Sequence, residues 1–173
     1  MMEKAYIQIY TGNGKGKTTA SLGLCLRAIA NGMKVFYGQF LKSGESSEFS
    51  ILRSFDNFEY HSFGPVRFIC GRNPSEEELK AAEKSVEDVI KRLKSGDYDV
   101  MVLDEIFPAL NAGLIPETAI ENIIKARSEK TELILTGRGA PENIIAIADL
   151  VTEMREVKHY WTKGVSARKG IEK

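Results

Sequence analysis

Cysteine is scarce in this sequence. The 173 residues hold two, Cys25 and Cys70. They stand far apart and form no C-x-x-C, which argues against a paired-cysteine zinc site and for a reducing compartment. An excess of either charge is also missing, because 24 lysines and arginines balance 24 aspartates and glutamates. The strongly basic footprint of a nucleic-acid binder is therefore absent, and only a local patch is left open. No apolar run approaches the length that crosses a membrane. The first β-rich run starts within a few residues of Met1, which leaves no room for a signal peptide. The expectation is a cytoplasmic protein with neither a membrane nor a nucleic acid as partner. Internal repeats, low-complexity stretches and linkers are lacking too, so residues 1–173 read as a single domain of a size that buries a good core.

What is present is an alternation of strands and helices. Ala5–Tyr10 alternates apolar and polar residues and reads as a strand. The stretch from Lys17 reads as a helix with Leu22, Cys25, Leu26 and Ile29 on its apolar face, ended by Asn31-Gly32. Lys34–Phe40 is a second strand, followed by a loop and a short helix, and Phe58–Phe63 is a short third strand. Asn73-Pro74 predicts a capping side chain followed by proline at the first helical position. That helix runs to about Ser95 with Leu79, Ala82, Val86, Val89, Ile90 and Leu93 inward. Tyr98–Glu105 is a nearly continuous apolar run ended by two acids, as a central parallel strand reads. Helix Pro116–Ala126, strand Thr131–Gly137, helix Ala140–Ala148 and strand Asp149–Val157 complete the series, with Asn143–Ala148 as a core stripe. The remainder is a polar, basic tail with embedded aromatics. Strands alternating with helices predict an α/β fold with a mainly parallel sheet flanked by helices. Its ligands belong beyond the carboxyl ends of the strands.

Three marked segments fall at those ends. "TGNGKGKTT", Thr11–Thr19, lies between a strand and a helix and nearly matches the phosphate-binding pattern G-x-x-x-x-G-K-[ST]. It departs only at its first position, where Thr11 stands for glycine. Gly12, Gly14 and Gly16 permit positive φ and close backbone approach, and successive N–H groups can line an anion nest at the helix's positive end. Lys17 adds a point charge, and Thr18 can ligate magnesium. This makes the fold class P-loop NTPase-like (RecA-like). Asp104-Glu105 is the expected metal-holding partner of such a loop, against the plain alternative of a solvated acid pair. "TGRGAP", Thr136–Pro141, is a second glycine-rich turn whose Arg138 could clamp phosphate oxygens, against the plain alternative of a strand-end turn with a surface arginine. Gln39 and Lys42 follow strand two and either face the site or belong to a plain loop. His61 reads as a core or surface histidine, and Lys158-His159 stays open between a functional and an ordinary role. No proton-transfer pair and no triad shows a local signature, although triads assemble in space.

Together these motifs resemble the CobA/BtuR-type corrinoid adenosyltransferases. The matching stretches are "TGNGKGKTTASLGLCLRAIANGMKVFYGQFLK", "VMVLDE", "LILTGRGAP" and "ADLVTEMREVKHYWTKGVSARKGIE". That family's loop begins T-G, so Thr11 fits it. The resemblance implies transfer of the 5′-deoxyadenosyl group of ATP to Co(I) of a corrinoid (cob(I)alamin or cob(I)yrinic acid a,c-diamide), with release of triphosphate. It implies Mg²⁺ as cofactor with ATP, a flavin- or flavodoxin-type reductant as partner, and allows a homodimer. Gly12, Asn13, Gly14, Lys15, Gly16, Lys17, Thr18 and Thr19 are its nucleotide loop. Thr18 and Glu105, with Asp104 nearby, are its magnesium positions. Lys17, Glu105 and Arg138 are the expected catalytic residues, and Arg27 and Gln39 match further motif positions. Two departures concern the corrinoid. Some members carry an N-terminal helical extension, whereas here the first strand comes almost at once. Some carry a Phe-x-Trp pair where "SFGPVRFICGR" has Phe63 and Phe68. Phe63, Val66, Phe68 and Ile69 are the expected apolar cover of the corrin ring, against the plain alternative of a loop folded onto the core. The rivals are a nucleoside kinase of the thymidine-kinase kind, which commonly holds a four-cysteine zinc knot, and a nucleotide-binding ATPase or switch.

Overall fold

The computed structural model describes residues 4–42, 47–64 and 73–172. Within them six strands form one sheet in the order β3-β2-β4-β5-β1-β6. The strands are β1 Ile7–Thr11, β2 Val35–Gln39, β3 Phe58–Ser62, β4 Val100–Asp104, β5 Glu132–Thr136 and β6 Leu150–Glu153. Every pairing is parallel, so the expectation of a mainly parallel sheet is met in full. β2 and β4 are buried at every position, because helices cover both of their faces. Successive side chains go to opposite faces. Val35, Tyr37, Val100, Val102 and Ile134 meet Cys25, Ala28 and Ile29 of α1 (Lys17–Ala30) and Phe49 and Leu52 of α2 (Ser47–Leu52). Phe36, Met101, Leu103, Leu133 and Leu135 face the other way, toward α3 (Glu76–Ser95), α4 (Ile106–Asn111), α5 (Glu117–Ala126) and α6 (Glu142–Ile147).

Local chemistry explains the helix ends. α3 begins two residues later than Asn73-Pro74 predicts. Ser75 is its N-cap: the Ser75 hydroxyl accepts the Glu78 N–H at 3.3 Å while the Glu78 carboxylate accepts the Ser75 N–H at 2.8 Å. This reciprocal pair satisfies two otherwise orphaned donors, which proline at the first position does not. Gly96 closes α3 at φ 70°, in the left-handed region. Pro108 sits inside α4, but in its first turn, where no intrahelical donor is needed.

Three apolar expectations need correction. Leu26 is 53% exposed and Leu79 40% exposed, because each lies at the margin of its helix's inward stripe. In α6 only Ile144 is fully buried, and Ile147 is exposed, because a helix so short can turn only one face inward. The last strand is also shorter than Asp149–Val157. β6 ends at Glu153, since Met154 bonds to the glycine-rich loop instead of continuing the ladder. Among the described residues no helix is long and apolar enough to cross a membrane.

Candidate active site

Parallel register aligns the carboxyl ends of the strands. Gln39 pairs with Asp104, and Tyr10 with Thr136. β5 lies between β1 and β4, so Thr136 stands between the glycine-rich loop and the acidic strand end. Thr11, Lys17, Gln39, Asp104 and Thr136 are all buried polar residues of this edge.

The loop follows β1. Gly12 and Gly16 take φ of 93° and 122°, as their type allows. Gly14 does not, and its requirement is steric. A Cβ there would lie 2.7 Å from Met154 O, and one on Gly12 would lie 2.6 Å from the same oxygen. The backbone after β6 is therefore a wall of the loop. It is bonded there through Gly14 N–H to Met154 O at 2.6 Å and Met154 N–H to Thr11 O at 2.8 Å. Sequence reasoning assigned these glycines to ligand approach and missed the neighbouring strand. Asn13 and Thr19 are exposed at the loop's two shoulders.

Lys17 Nζ turns inward and donates to Gly12 O at 2.7 Å and Gly14 O at 2.8 Å. Burial and the nearby Arg138 guanidinium push its pKa down, against the pull of Glu105 and Asp104. The Thr18 hydroxyl lies 3.1 and 3.3 Å from the two Asp104 oxygens. Asp104 is fully buried and also accepts from Gln39 Nε2 at 2.8 Å and Thr136 Oγ1 at 2.6 Å. Gln39 is itself held, its Oε1 accepting the Tyr60 hydroxyl at 3.2 Å. Below Asp104 the Tyr37 hydroxyl shares a 2.9 Å hydrogen bond with Ser21, and burial with the charge of Asp104 holds that phenol neutral, its pKa well above the usual value.

Thr136 was legible only as part of a glycine-rich turn, yet it joins the two acids. Its hydroxyl donates to Asp104 and accepts the Glu105 N–H at 3.2 Å. That second bond fixes Glu105 at φ 59°; among the described residues only it and Leu41 are non-glycine residues with positive φ. A left-handed glutamate at a strand end marks a site where surrounding contacts over-determine the backbone. The Glu105 carboxyl pKa is raised, first by burial and then by Asp104, while Lys17, Lys42 and Arg138 oppose the rise. The acid thus stands among three cations. Arg138 is exposed on a turn whose Gly137 packs against Pro108 and whose carbonyl accepts Asn111 Nδ2 at 3.1 Å.

Other expected residues fall elsewhere. Arg27 is exposed in the last turn of α1. At ~1.5 Å of rise per residue it lies about 14 Å along the helix from Thr18, so it does not join the loop. Phe63 packs into the core edge, 5.1 Å from the Phe40 ring and 6.3 Å from that of Phe36. Phe68, Val66, Ile69 and Cys70 lie outside the described residues. His61 is exposed and stacks on Phe63. His159 caps a 3-10 turn, Tyr160–Lys163, its Nδ1 accepting the Trp161 N–H at 3.2 Å.

The oxygen set of Thr18, Asp104 and Glu105 is hard, which suits Mg²⁺. Among the described residues no group of three or more His, Cys, Asp or Glu could hold a metal alone. Magnesium carried by a nucleotide needs fewer protein ligands, because phosphates and waters supply the rest.

Relatives in sequence span nearly the whole chain. The corrinoid adenosyltransferase of Pseudomonas aeruginosa is 34% identical over 172 residues, 98% of this chain and 84% of that protein. The corrinoid adenosyltransferase CobA of Salmonella typhimurium is 33% identical, and the corrinoid adenosyltransferase of Escherichia coli K12 31%; each alignment spans 98% of this chain and 86% of the relative. The family described as ATP:corrinoid adenosyltransferase BtuR/CobO/CobP matches residues 3–172. With the glycine-rich loop, the paired acids and the match over nearly the whole chain in agreement, the chain belongs to the ATP:corrinoid adenosyltransferase family.

Proposed function

We propose that the protein transfers the 5′-deoxyadenosyl group of ATP to Co(I) of a corrinoid, with triphosphate as the leaving group. The observation that carries the residue roles is the contact between Thr18 and Asp104 beneath a loop that Lys17 and Arg138 make positive. Co(I) is itself a strong nucleophile, so attack at C5′ requires no protein base. What the protein supplies is alignment of cobalt with C5′ and charge to receive the departing triphosphate.

Lys17, freed from its two carbonyls, and Arg138 across the cradle face the phosphates. The loop N–H groups from Asn13 to Thr19 complete the anion nest. Thr18, Asp104 and Glu105 would hold Mg²⁺, which when bound neutralises phosphate charge. Gln39 and Thr136 aim Asp104 and reach no substrate. The bond broken lies at the ribose end, so that end must face the corrinoid. The nucleotide therefore lies reversed or displaced relative to a kinase, which breaks the bond at the γ-phosphorus. Phe63, with Phe68 beyond the described residues, belongs to the corrin side in this reading. A flavin- or flavodoxin-type reductant would supply Co(I), and a homodimer and a cytoplasmic setting fit the two lone cysteines and the family. Incubation with ATP, Mg²⁺ and chemically reduced cobalamin tests the assignment. Adenosylcobalamin by absorbance with stoichiometric inorganic triphosphate is expected. Release of ADP without a corrinoid product would favour a nucleoside kinase.

A further inference from the structure

The C-terminal segment folds back onto the glycine-rich loop. Lys15 Nζ donates to Ile171 O at 2.9 Å and pairs with Glu172 Oε1 at 3.4 Å. The Glu172 carboxylate is the hub of this contact. It also accepts the Arg168 N–H at 2.8 Å, Arg168 Nη2 at 2.9 Å and Nε at 3.3 Å, and the Tyr160 hydroxyl. The Arg168 guanidinium lies 4.9 Å above the Tyr160 ring. These donors leave the Glu172 side chain 15% exposed, against 45% for Lys15. Its carboxyl pKa is held well below the usual range, chiefly by the Arg168 and Tyr160 hydrogen bonds.

The two lysines of the loop are therefore occupied differently. Lys17 rests on neutral carbonyls of its own loop, whereas Lys15 rests on an anion from the far end of the chain. An anion preset on a phosphate-binding lysine competes with phosphate. A triphosphate carries several charges to the carboxylate's one, and so wins when it arrives. Free triphosphate carries more charge than triphosphate esterified to adenosine, so an uncontested loop would hold the product more tightly than the substrate.

We propose that Glu172 is an internal competitor for Lys15, displaced when nucleoside triphosphate binds and returning to Lys15 as inorganic triphosphate leaves. This rests on the reading of the loop as the triphosphate cradle. Glu172 is in this account a positioning residue that never touches substrate.

Calorimetric titration of the full-length protein with Mg²⁺-triphosphate and Mg²⁺-ATP, without corrinoid, tests it. Glu172→Gln is expected to tighten triphosphate by about two- to fivefold, the scale of an exposed ion pair. Glu172→Ala, which also releases Arg168, should tighten it likewise. Lys15→Ala should weaken binding, and Glu172→Gln placed in that background should change nothing further. Weaker or unchanged binding in both Glu172 variants overturns the proposal, because the tail is then a scaffold for the loop. Equal tightening with and without Lys15 overturns it as well, since the agent is then general charge. A wild-type protein that binds neither ligand overturns the cradle reading, and the proposal with it.

Discussion

Glu105 and Thr136 show how much single residues carry. Glu105 is an acid held beside another acid, in a left-handed backbone, with its pKa raised by burial and by Asp104. The folded protein therefore binds that proton more tightly than the unfolded chain does. The sign follows: stability is lost as pH rises from the ordinary carboxylate value through the folded one. Glu105→Gln should accordingly unfold at a higher temperature than wild type at pH 7, with a flatter pH dependence, while needing more Mg²⁺ for half-maximal rate. A Gln variant of unchanged Mg²⁺ requirement would remove Glu105 from the metal site. Thr136 holds both acids through one hydroxyl. Thr136→Val keeps the shape and removes both bonds, which should cost about 1–3 kcal/mol by chemical denaturation. It should also raise the Mg²⁺ requirement, and Thr136→Ser should restore both. Loss of stability with an unaltered Mg²⁺ requirement would reduce Thr136 to a core residue.

At the scale of elements, the loop and β6 act as one unit. The wall that Met154 and Arg155 raise beside Gly12 and Gly14 makes the edge strand part of the proposed nucleotide site, although every β6 side chain is exposed. Gly14→Ala must displace that backbone, because its Cβ would lie 2.7 Å from Met154 O. The expected result is a loss of about 1–3 kcal/mol, as for other overpacked sites. Faster hydrogen exchange at β6 and weaker ATP binding should appear together. Retained ATP affinity with a loosened β6 would uncouple the two. By contrast, the Ser75–Glu78 capping box decides only where α3 starts.

Across the whole molecule, one sheet joins both helical layers, so ligand binding at its carboxyl edge should stabilise the entire fold. At a hundredfold excess over Kd the gain is ~2.7 kcal/mol, and for a domain of this size that corresponds to about 5–10 °C in Tm. Mg²⁺-ATP should give this shift in wild type and little of it in Lys17→Ala, whose cradle lacks its buried cation. A full shift in Lys17→Ala would remove that lysine from the triphosphate site.

Strand and helix order, the parallel sheet, the glycine-rich loop between β1 and α1 with Lys17 and Thr18, and the acid pair at a strand end were all legible in the sequence. They are local signals: apolar runs buried on both faces, glycine spacing, and polar residues at the end of an apolar strand. Family membership was legible for the same reason, because the motifs recur in a fixed order along the whole chain. What the tertiary structure alone decided depends on strand order and register. Only the placement of β5 between β1 and β4 brings Thr136 to both acids, and only the pairing of β1 with β6 explains Gly14. Tertiary packing also brought Glu172 to Lys15, residues 157 positions apart in the chain. No periodicity or spacing encodes such a contact. The Thr136 contacts exist because a parallel sheet gathers its carboxyl ends at one edge, and the Glu172 contact because Arg168 and Tyr160 hold that carboxylate beside Lys15.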